Sequence, residues 1–454
     1  MSEADVLLKK IAEYDVRAVT LRPETNGWAL LSRTSRPLLD ALEATGTLVI
    51  IEFLMDINAK GMEELLDRHP GLFVLARNVW WINQRVMLPL LCHYRNLHVA
   101  FDTFQIHYGI EWLVGQGCEN QFIFASNAPR MSIGAHRCYV DYADVSPVIK
   151  EKISAGNLVR LLGGQKPPRS IINGDEDPIM AAARHGQPLS PLVLDFHAHI
   201  LDEGLHGAGL NHVILNGGPE GVQRMARRLG VDGIGLMSWN RPVGVHADDG
   251  NRCTQAALNV LPDSCWGLGT FDPVRDTDKM TRAKMQKLFA DDRFLGLKPY
   301  PEYGPHYDDP AHEVWWQFGQ ENGLYALLHP NRTDLSEIEM LCSRYPNMIF
   351  VAAHCGGSYK VAETAINLAC RYTNFYAELT LTTVPLGVIE YLVSGCGADR
   401  VLYGSDLPMR DPRPQLGWGV YSRLGVQQKE KVLGLNANAL LRHVRGGRLQ
   451  RNRS

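Results

Sequence analysis

The chain has 454 residues, of which 45% are apolar and 21% charged, and a formal net charge of −3. This is ordinary for a soluble globular protein, gives no argument for nucleic acid or an anionic membrane surface, and at this length allows one large or two moderate domains. No apolar run approaches the roughly 20 residues that a membrane-spanning helix needs. The N-terminal MSEADVLLKKIAEYDV mixes acids and lysines among its apolar residues, unlike a signal or transit peptide. Nine cysteines, scattered without a C-x-x-C pair, fit reduced thiols in a cytoplasm better than a disulfide framework.

In chain order, residues 1–165 come first, and they become readable only beside the second half of the chain. Residues 166–190 lie in a stretch rich in Gly, Pro, Ser and charge and are predicted to be a linker. From 191 onward, strand candidates at 192–197, 231–237, 264–271, 293–298, 323–328, 347–353, 374–379 and 400–405 alternate with helical stretches such as Glu220–Leu229, Ala311–Asn322, Leu335–Tyr345, Tyr359–Tyr372 and Val384–Gly395. Alternation of this kind predicts parallel strands joined by crossovers. Eight such units between about 191 and 446 match a closed (β/α)8 TIM barrel. An open doubly wound sheet is disfavoured, because no Gly-rich phosphate turn follows the first strand. Residues 447–454 form a basic tail, expected to be a solvated end.

Four of these strands end in side chains that bind metals or move protons. Leu-Val-Leu-Asp195-Phe-His197-Ala-His199 places two imidazoles at positions i and i+2, which share a side of a strand. His329-Pro, Ala-His354-Cys-Gly-Gly and Gly-Ser-Asp406-Leu-Pro end the fifth, sixth and eighth strands. Neutral imidazoles with a carboxylate form the ligand set of a catalytic zinc-type site. Only a closed ring brings those four ends round one centre, at the face where such barrels keep their chemistry.

The N-terminal third repeats the second half. Residues 109–129 lie over 388–408 without a gap, 64–78 over 339–354 with one residue of slippage, 47–52 over 324–329, and 19–23 over 295–299. Self-similarity on this scale points to duplication of strands four to eight. Glu52, Asn78 and Asn127 stand where the second half has His329, His354 and Asp406, and nothing matches the His197–His199 strand. The first region is therefore expected to be a non-catalytic, degenerate partial β/α barrel. Its open edges would have to be covered by the other domain, a partner chain or the linker.

The motifs around His197, His199, His329, His354 and Asp406 resemble, in order, those of the amidohydrolase superfamily. More narrowly, they resemble the branch that contains aminocarboxymuconate-semialdehyde decarboxylase and several lactonases. The resemblance covers roughly 191–446. It implies a metal-dependent barrel enzyme, commonly with one Zn2+, in which His197, His199 and His329 bind the ion, Asp406 completes the site, and His354 serves beside the metal-bound water as acid or base. The chemistry allows Asp406 instead to be the base that orients the water, and the sequence leaves those roles open.

Lys298 ends the fourth strand. In other branches of the superfamily a lysine there is carboxylated and bridges two metals; an unmodified lysine meeting an anionic substrate is the favoured reading here. Trp239, Asn240, Arg241, Tyr300 and Arg410 follow other strand ends and are expected to line the substrate pocket, the arginines suiting a carboxylate. Arg410 could equally be a rim partner for Asp411. His206 and His212 lie in a glycine-rich loop that could be a lid or a solvated loop. Glu378 reads as an ordinary barrel carboxylate rather than a partner for a ligand histidine.

The expected function is hydrolysis of a small carbonyl compound (a lactone, amide or ester) by a metal-activated water. A non-oxidative decarboxylase of an aromatic or unsaturated acid is the runner-up, and a non-catalytic metal-binding scaffold the third alternative. The expected partner is a small molecule, with no nucleic acid and no membrane; association into a homo-oligomer stays open.

Overall fold

Short apolar runs bounded by glycine, proline and asparagine form strands, and the longer amphipathic runs between them pack as helices over the strands' outer faces. A computed structural model describes residues 3–164, 177–201, 214–239, 246–300, 304–330, 332–381 and 383–451. The strands form two all-parallel sheets, each ordered as in the chain. The first holds β1 (Ala18–Thr20), β2 (Leu48–Glu52), β3 (Val74–Arg77), β4 (Leu97–Ala100) and β5 (Phe122–Ile123). The second holds β6 (Leu194–Ile200), β7 (Gly233–Ser238), β8 (Trp266–Gly269), β9 (Phe294–Leu297), β10 (Tyr325–Leu328), β11 (Ile349–Ala352), β12 (Phe375–Glu378) and β13 (Val401–Leu402). All eight strands expected after residue 191 are present.

The eight-stranded sheet bends round until its last strand meets its first. Phe196 N–H donates to the Tyr403 carbonyl (3.0 Å), Asp406 N–H donates to that of His197 (2.7 Å), and Ala198 bridges Leu407. The result is a nearly closed TIM barrel. Its interior is filled by Phe196, Trp266, Leu295, Tyr325, Val351 and Leu402, with Leu440 and Leu441 of the C-terminal helix packed into the same cluster. Trp266 Nε1 donates to the Tyr325 hydroxyl (2.7 Å), so neither large ring is buried with its polar atom unmet. Neighbouring residues such as Leu236, Leu297, Leu328 and Ala352 belong instead to the layer between sheet and helices.

The described residues form two compact units, one of residues 3–127 and 143–164, the other of 128–142, 177–201 and everything described from 214 onward. Residues 128–142 thus pack with the barrel, although the internal repeat groups them with the N-terminal region. Within the expected linker, 165–176 lie outside the described residues, while Pro178–Arg184 is helical, N-capped by the Asp177 side chain. The final helix, Asn436–Arg451, takes in the start of the expected basic tail.

Taken separately, the two units share local devices at matching positions. Each has a π-helical turn, Lys152–Gly156 in one and Lys431–Leu435 in the other. The asparagine after each turn donates to two carbonyls, Asn157 to those of Glu119 and Phe122 (2.7 and 3.0 Å) and Asn436 to those of Ala398 and Val401 (2.7 and 2.8 Å). Asn96 and Asn374 likewise satisfy the carbonyls of Leu72 and Met348 (2.9 and 3.0 Å). All nine cysteines are free thiols. Among the described residues no helix is long and apolar enough to cross a membrane.

Candidate metal centre

In an ideal strand that buries Leu194 and Phe196 in the barrel, His197 and His199 would point outward. A shift of register between Asp195 and Ala198, where β6 pairs with β7, supplies the extra residue of a β-bulge. Beyond the bulge both imidazoles turn to the barrel mouth, with ring centroids 5.4 Å apart. Asp195, fully buried, braces this strand to the turn after β13: its Oδ1 accepts from Ser405 N (2.9 Å) and His197 N (3.2 Å), and its Oδ2 pairs with the Ser405 hydroxyl. Burial pushes the Asp195 carboxyl up to about 7, against those hydrogen bonds.

That turn carries Asp406, whose backbone is left-handed at φ 58°. Its Oδ1 lies 2.9 Å from His199 Nε2 and 3.7 Å from His197 Nε2, and its Oδ2 lies 2.9 Å from Arg410 Nη1. Burial works to raise this carboxyl, but Arg410 and the two histidines hold it well below the usual carboxylate range. Burial likewise drives the imidazoles of His197, His199 and His354 down, and that of His329 to about 4. The centre is therefore one carboxylate facing neutral imidazoles, the state in which these groups bind a cation.

The donor set fits a metal by three observations. One ligand atom from each of His197, His199 and Asp406 lies within 4.8 Å of the others. His199 Nε2 faces the Asp406 carboxylate at 2.9 Å, while Nδ1 of His199 and Nδ1 of His329 lack hydrogen-bond partners among the described residues. Such orphaned buried donors and acceptors call for an occupant. Finally, His197 Nδ1 lies 3.2 Å from Glu378 Oε2, which fixes the ring and leaves Nε2 facing the centre.

Glu378 is thus not the ordinary carboxylate the sequence suggested. It is fully buried, accepts from the Thr380 amide (2.7 Å) and the His354 amide (3.3 Å), and pairs with the Thr380 hydroxyl as well as His197. Gly404 makes room for it: a Cβ there would overlap the Glu378 carboxylate and lie 2.7 Å from His197 Cβ.

His354, at φ 64°, presents Nδ1 to the Thr380 carbonyl at 2.7 Å. A carbonyl only accepts, so Nδ1 carries the proton and Nε2 is left as a base. The His354 ring is 5.2 Å from that of His197 and 4.8 Å from that of His329. His329 is thus beside the centre, but no group of mutually close ligand atoms among the described residues includes it.

Lys298, completely buried, sets Nζ 3.3 Å from His197 Nε2 and 5.8 Å from the Tyr300 ring centroid, and burial lowers its ammonium to about 8. Tyr300 links Trp239 (5.7 Å) to His329 (5.4 Å), making an aromatic wall on one side, and it also lines a cavity of about 170 Å³ with Thr270, Phe271, His312 and Trp315. Arg410 lies inside, on Asp406, rather than on a rim with Asp411. Asn240, Arg241, His206 and His212 lie outside the described residues. The Cys355 thiol, beside His354, is buried and pushed up, which makes it inert.

The barrel, with histidines and an acid converging at the C-terminal strand ends, defines a class of metal-dependent enzyme. The amidohydrolase family model matches residues 195–443, more than half of the chain, and the chain belongs to that family. No curated protein matches it. Among solved structures, it is similar to an uncharacterized TIM-barrel protein from Bordetella bronchiseptica, at 19% identity over 56% of this chain and 99% of that one, TM-score 0.46. A 5-carboxyvanillate decarboxylase from Sphingomonas paucimobilis is similar at 15% identity, 56% and 99% coverage and TM-score 0.45. An amidohydrolase from Burkholderia multivorans with bound zinc is similar at 14% identity, 55% and 99% coverage and TM-score 0.43.

Proposed function

We propose that the protein hydrolyses a small carbonyl compound, a lactone, amide or ester, at a single divalent metal held by His197, His199, Asp406 and His329. The observation that carries this reading is the convergence of His197, His199 and Asp406, one ligand atom each within 4.8 Å of the others, with the His354 ring 5.2 Å from that of His197. Zn2+, which suits this donor set, supplies Lewis acidity when bound, acidifying a water and polarising a carbonyl. His354 Nε2 takes the proton released as water adds to the carbonyl and passes it to the leaving oxygen or nitrogen. The Thr380 carbonyl keeps Nδ1 protonated throughout, so the ring does not change tautomer. Arg410 keeps Asp406 ionised, and Glu378 keeps His197 oriented. Trp239 and Tyr300 hold an apolar or planar substrate, and Lys298 and Arg241 meet a negative charge on it.

Lys298 also supports a second reading, non-oxidative decarboxylation of an aromatic or unsaturated acid, because a buried cation beside the ligand histidines suits a substrate carboxylate. The two separate by product. Incubation with lactones and with aromatic carboxylates, monitoring ring opening in H2(18)O and CO2 release, should give label incorporation; CO2 release without it selects the decarboxylase. A protein with one bound metal and neither activity would be the scaffold. Metal content of His197→Ala tests all three, since unchanged stoichiometry removes the site itself.

A further inference from the structure

The N-terminal region contributes to the catalytic unit a segment that its proposed function does not explain. Helix Ile133–Asp141 packs against helix Pro412–Val420, which is its own counterpart when the gap-free match of 109–129 with 388–408 is extended. The two approach closely: a Cβ on Gly417 would lie 2.5 Å from Ala135 Cα, and one on Gly134 would overlap the Tyr421 ring. Tyr142 and Tyr421 are again counterparts, and burial, then Cys138 and Tyr421, raise the Tyr142 phenol. A surface meeting its own equivalent is the contact by which two copies of a chain associate. Here one chain supplies both sides.

Helix Pro412–Val420 touches both turns of the candidate centre. At its start, Arg413 and Asp411, both fully buried, form a two-pronged ion pair (2.7 Å for each prong), close in the chain to the Asp406–Arg410 contact. Further along, Gln415 Oε1 accepts from Leu381 N (3.1 Å) and Trp418 Nε1 donates to Leu381 O (3.0 Å), next to the Thr380 carbonyl that orients His354. The other helix closes on these same residues. The Tyr139 ring lies under the Arg413 guanidinium at 4.8 Å, and His136 meets the Trp418 ring edge-on at 5.5 Å. A buried guanidinium with its edge on a carboxylate and its face on an aromatic ring has a fixed plane.

We propose that Tyr139 is a positioning residue for the metal centre: by fixing Arg413, and through it Asp411, it holds the turn that carries Asp406 and Arg410. The segment 128–142, which follows the first sheet in the chain but packs within the barrel unit, thereby acts on the site from outside it. This rests on the metal-site reading for its effect on binding, but not for its effect on the turn.

The test compares Tyr139→Leu, which fills the space without a ring face, with Tyr139→Phe, which keeps the ring, in the full chain. Hydrogen–deuterium exchange over residues 405–420 and Zn2+ affinity by chelator competition are read together. The leucine variant should exchange faster over 405–411 and bind Zn2+ about 10-fold more weakly, while the phenylalanine variant matches the parent in both. Unchanged exchange and affinity in a folded Tyr139→Leu protein would overturn the proposal, as would equal loss in both variants. If Tyr139→Leu does not fold, Arg413→Met takes its place, with the same outcomes expected over 405–411. A parent chain that binds no Zn2+ would sink the metal reading and leave the exchange comparison to decide the role of Tyr139.

Discussion

The ends of the two sheets answer the same backbone problem with opposite chemistry. In the barrel, burial strips the imidazoles of charge, and Nδ1 of His199 and of His329 has no hydrogen-bond partner among the described residues. In the five-stranded sheet, two of the matching positions pair with each other: Arg22, aligned with Lys298, lies 2.9 Å from Glu52, aligned with His329. One end gathers imidazoles round a carboxylate, and the other sets a guanidinium against one. The turns differ in the same sense. His354 and Asp406 hold left-handed backbone at φ 64° and 58°, and their counterparts Asn78 and Asn127 hold it at 54° and 53°. Left-handed backbone costs most side chains about 1–2 kcal/mol, and asparagine tolerates it best. Asparagine, histidine and aspartate are the non-glycine residues that enter this region most readily, so the turn backbone is kept in both sheets while the side chains differ.

The sharpest way to break this contrast is to remove donors from each end. Asp406→Ala should abolish stoichiometric metal binding and lower turnover by at least about 10³-fold, while Asn78→Ala and Asn127→Ala, corrected for folded fraction, stay within about 2-fold of the parent. Comparable losses at both ends would mean that the N-terminal sheet is not inert. His354→Gln should lower kcat by about 10²–10⁴-fold with metal content intact; loss of metal as well would make it a ligand. Glu378→Gln should weaken metal affinity about 10–100-fold, measured by chelator competition, and an unchanged affinity would return it to the role of a plain barrel carboxylate.

A smaller effect sharpens the backbone half of the contrast. Asn127→Ala should lose about 1–2 kcal/mol in urea unfolding and Asn127→Gly almost none. Equal losses would mean that the side chain, not the backbone, holds the position. Of at least comparable size is an acid response shared by both units. His98 in one and His312 in the other are neutral in the fold because burial pushes them down to about 4 from 6.5. The unfolded chain binds these protons first, so their stabilisation is complete above about pH 6.5 and is lost as pH falls towards 4. The urea midpoint of metal-free protein should drop from pH 7 to 5, and less so in a His98→Phe variant; a flat midpoint contradicts both assignments.

Much of this is legible in the sequence because it is local. Eight strands can be read from apolar runs between helices, and His197, His199 and Asp406 stand at strand ends that ring closure must bring together. The bulge in β6 is not legible, since nothing in Asp-Phe-His-Ala marks an extra residue; it arises from the need to bury Phe196 and still aim both histidines at the mouth. Glu378 is undervalued by its local context because its partner, His197, is chosen by closure of the barrel across 181 positions. The same holds for Asp195, whose brace to Ser405 joins the first strand to the last. Residues 128–142 lie in sequence with one region and pack with the other, a choice made by tertiary contacts alone.

Gly404 sets a condition for building a second metal centre in the first sheet. Its counterpart is Ala125, in a unit that has neither a His197 nor a Glu378 for a methyl group to strike. Placing ligands at 52, 78 and 127 would therefore need Ala125→Gly as well, to leave room for a carboxylate that plays the part of Glu378.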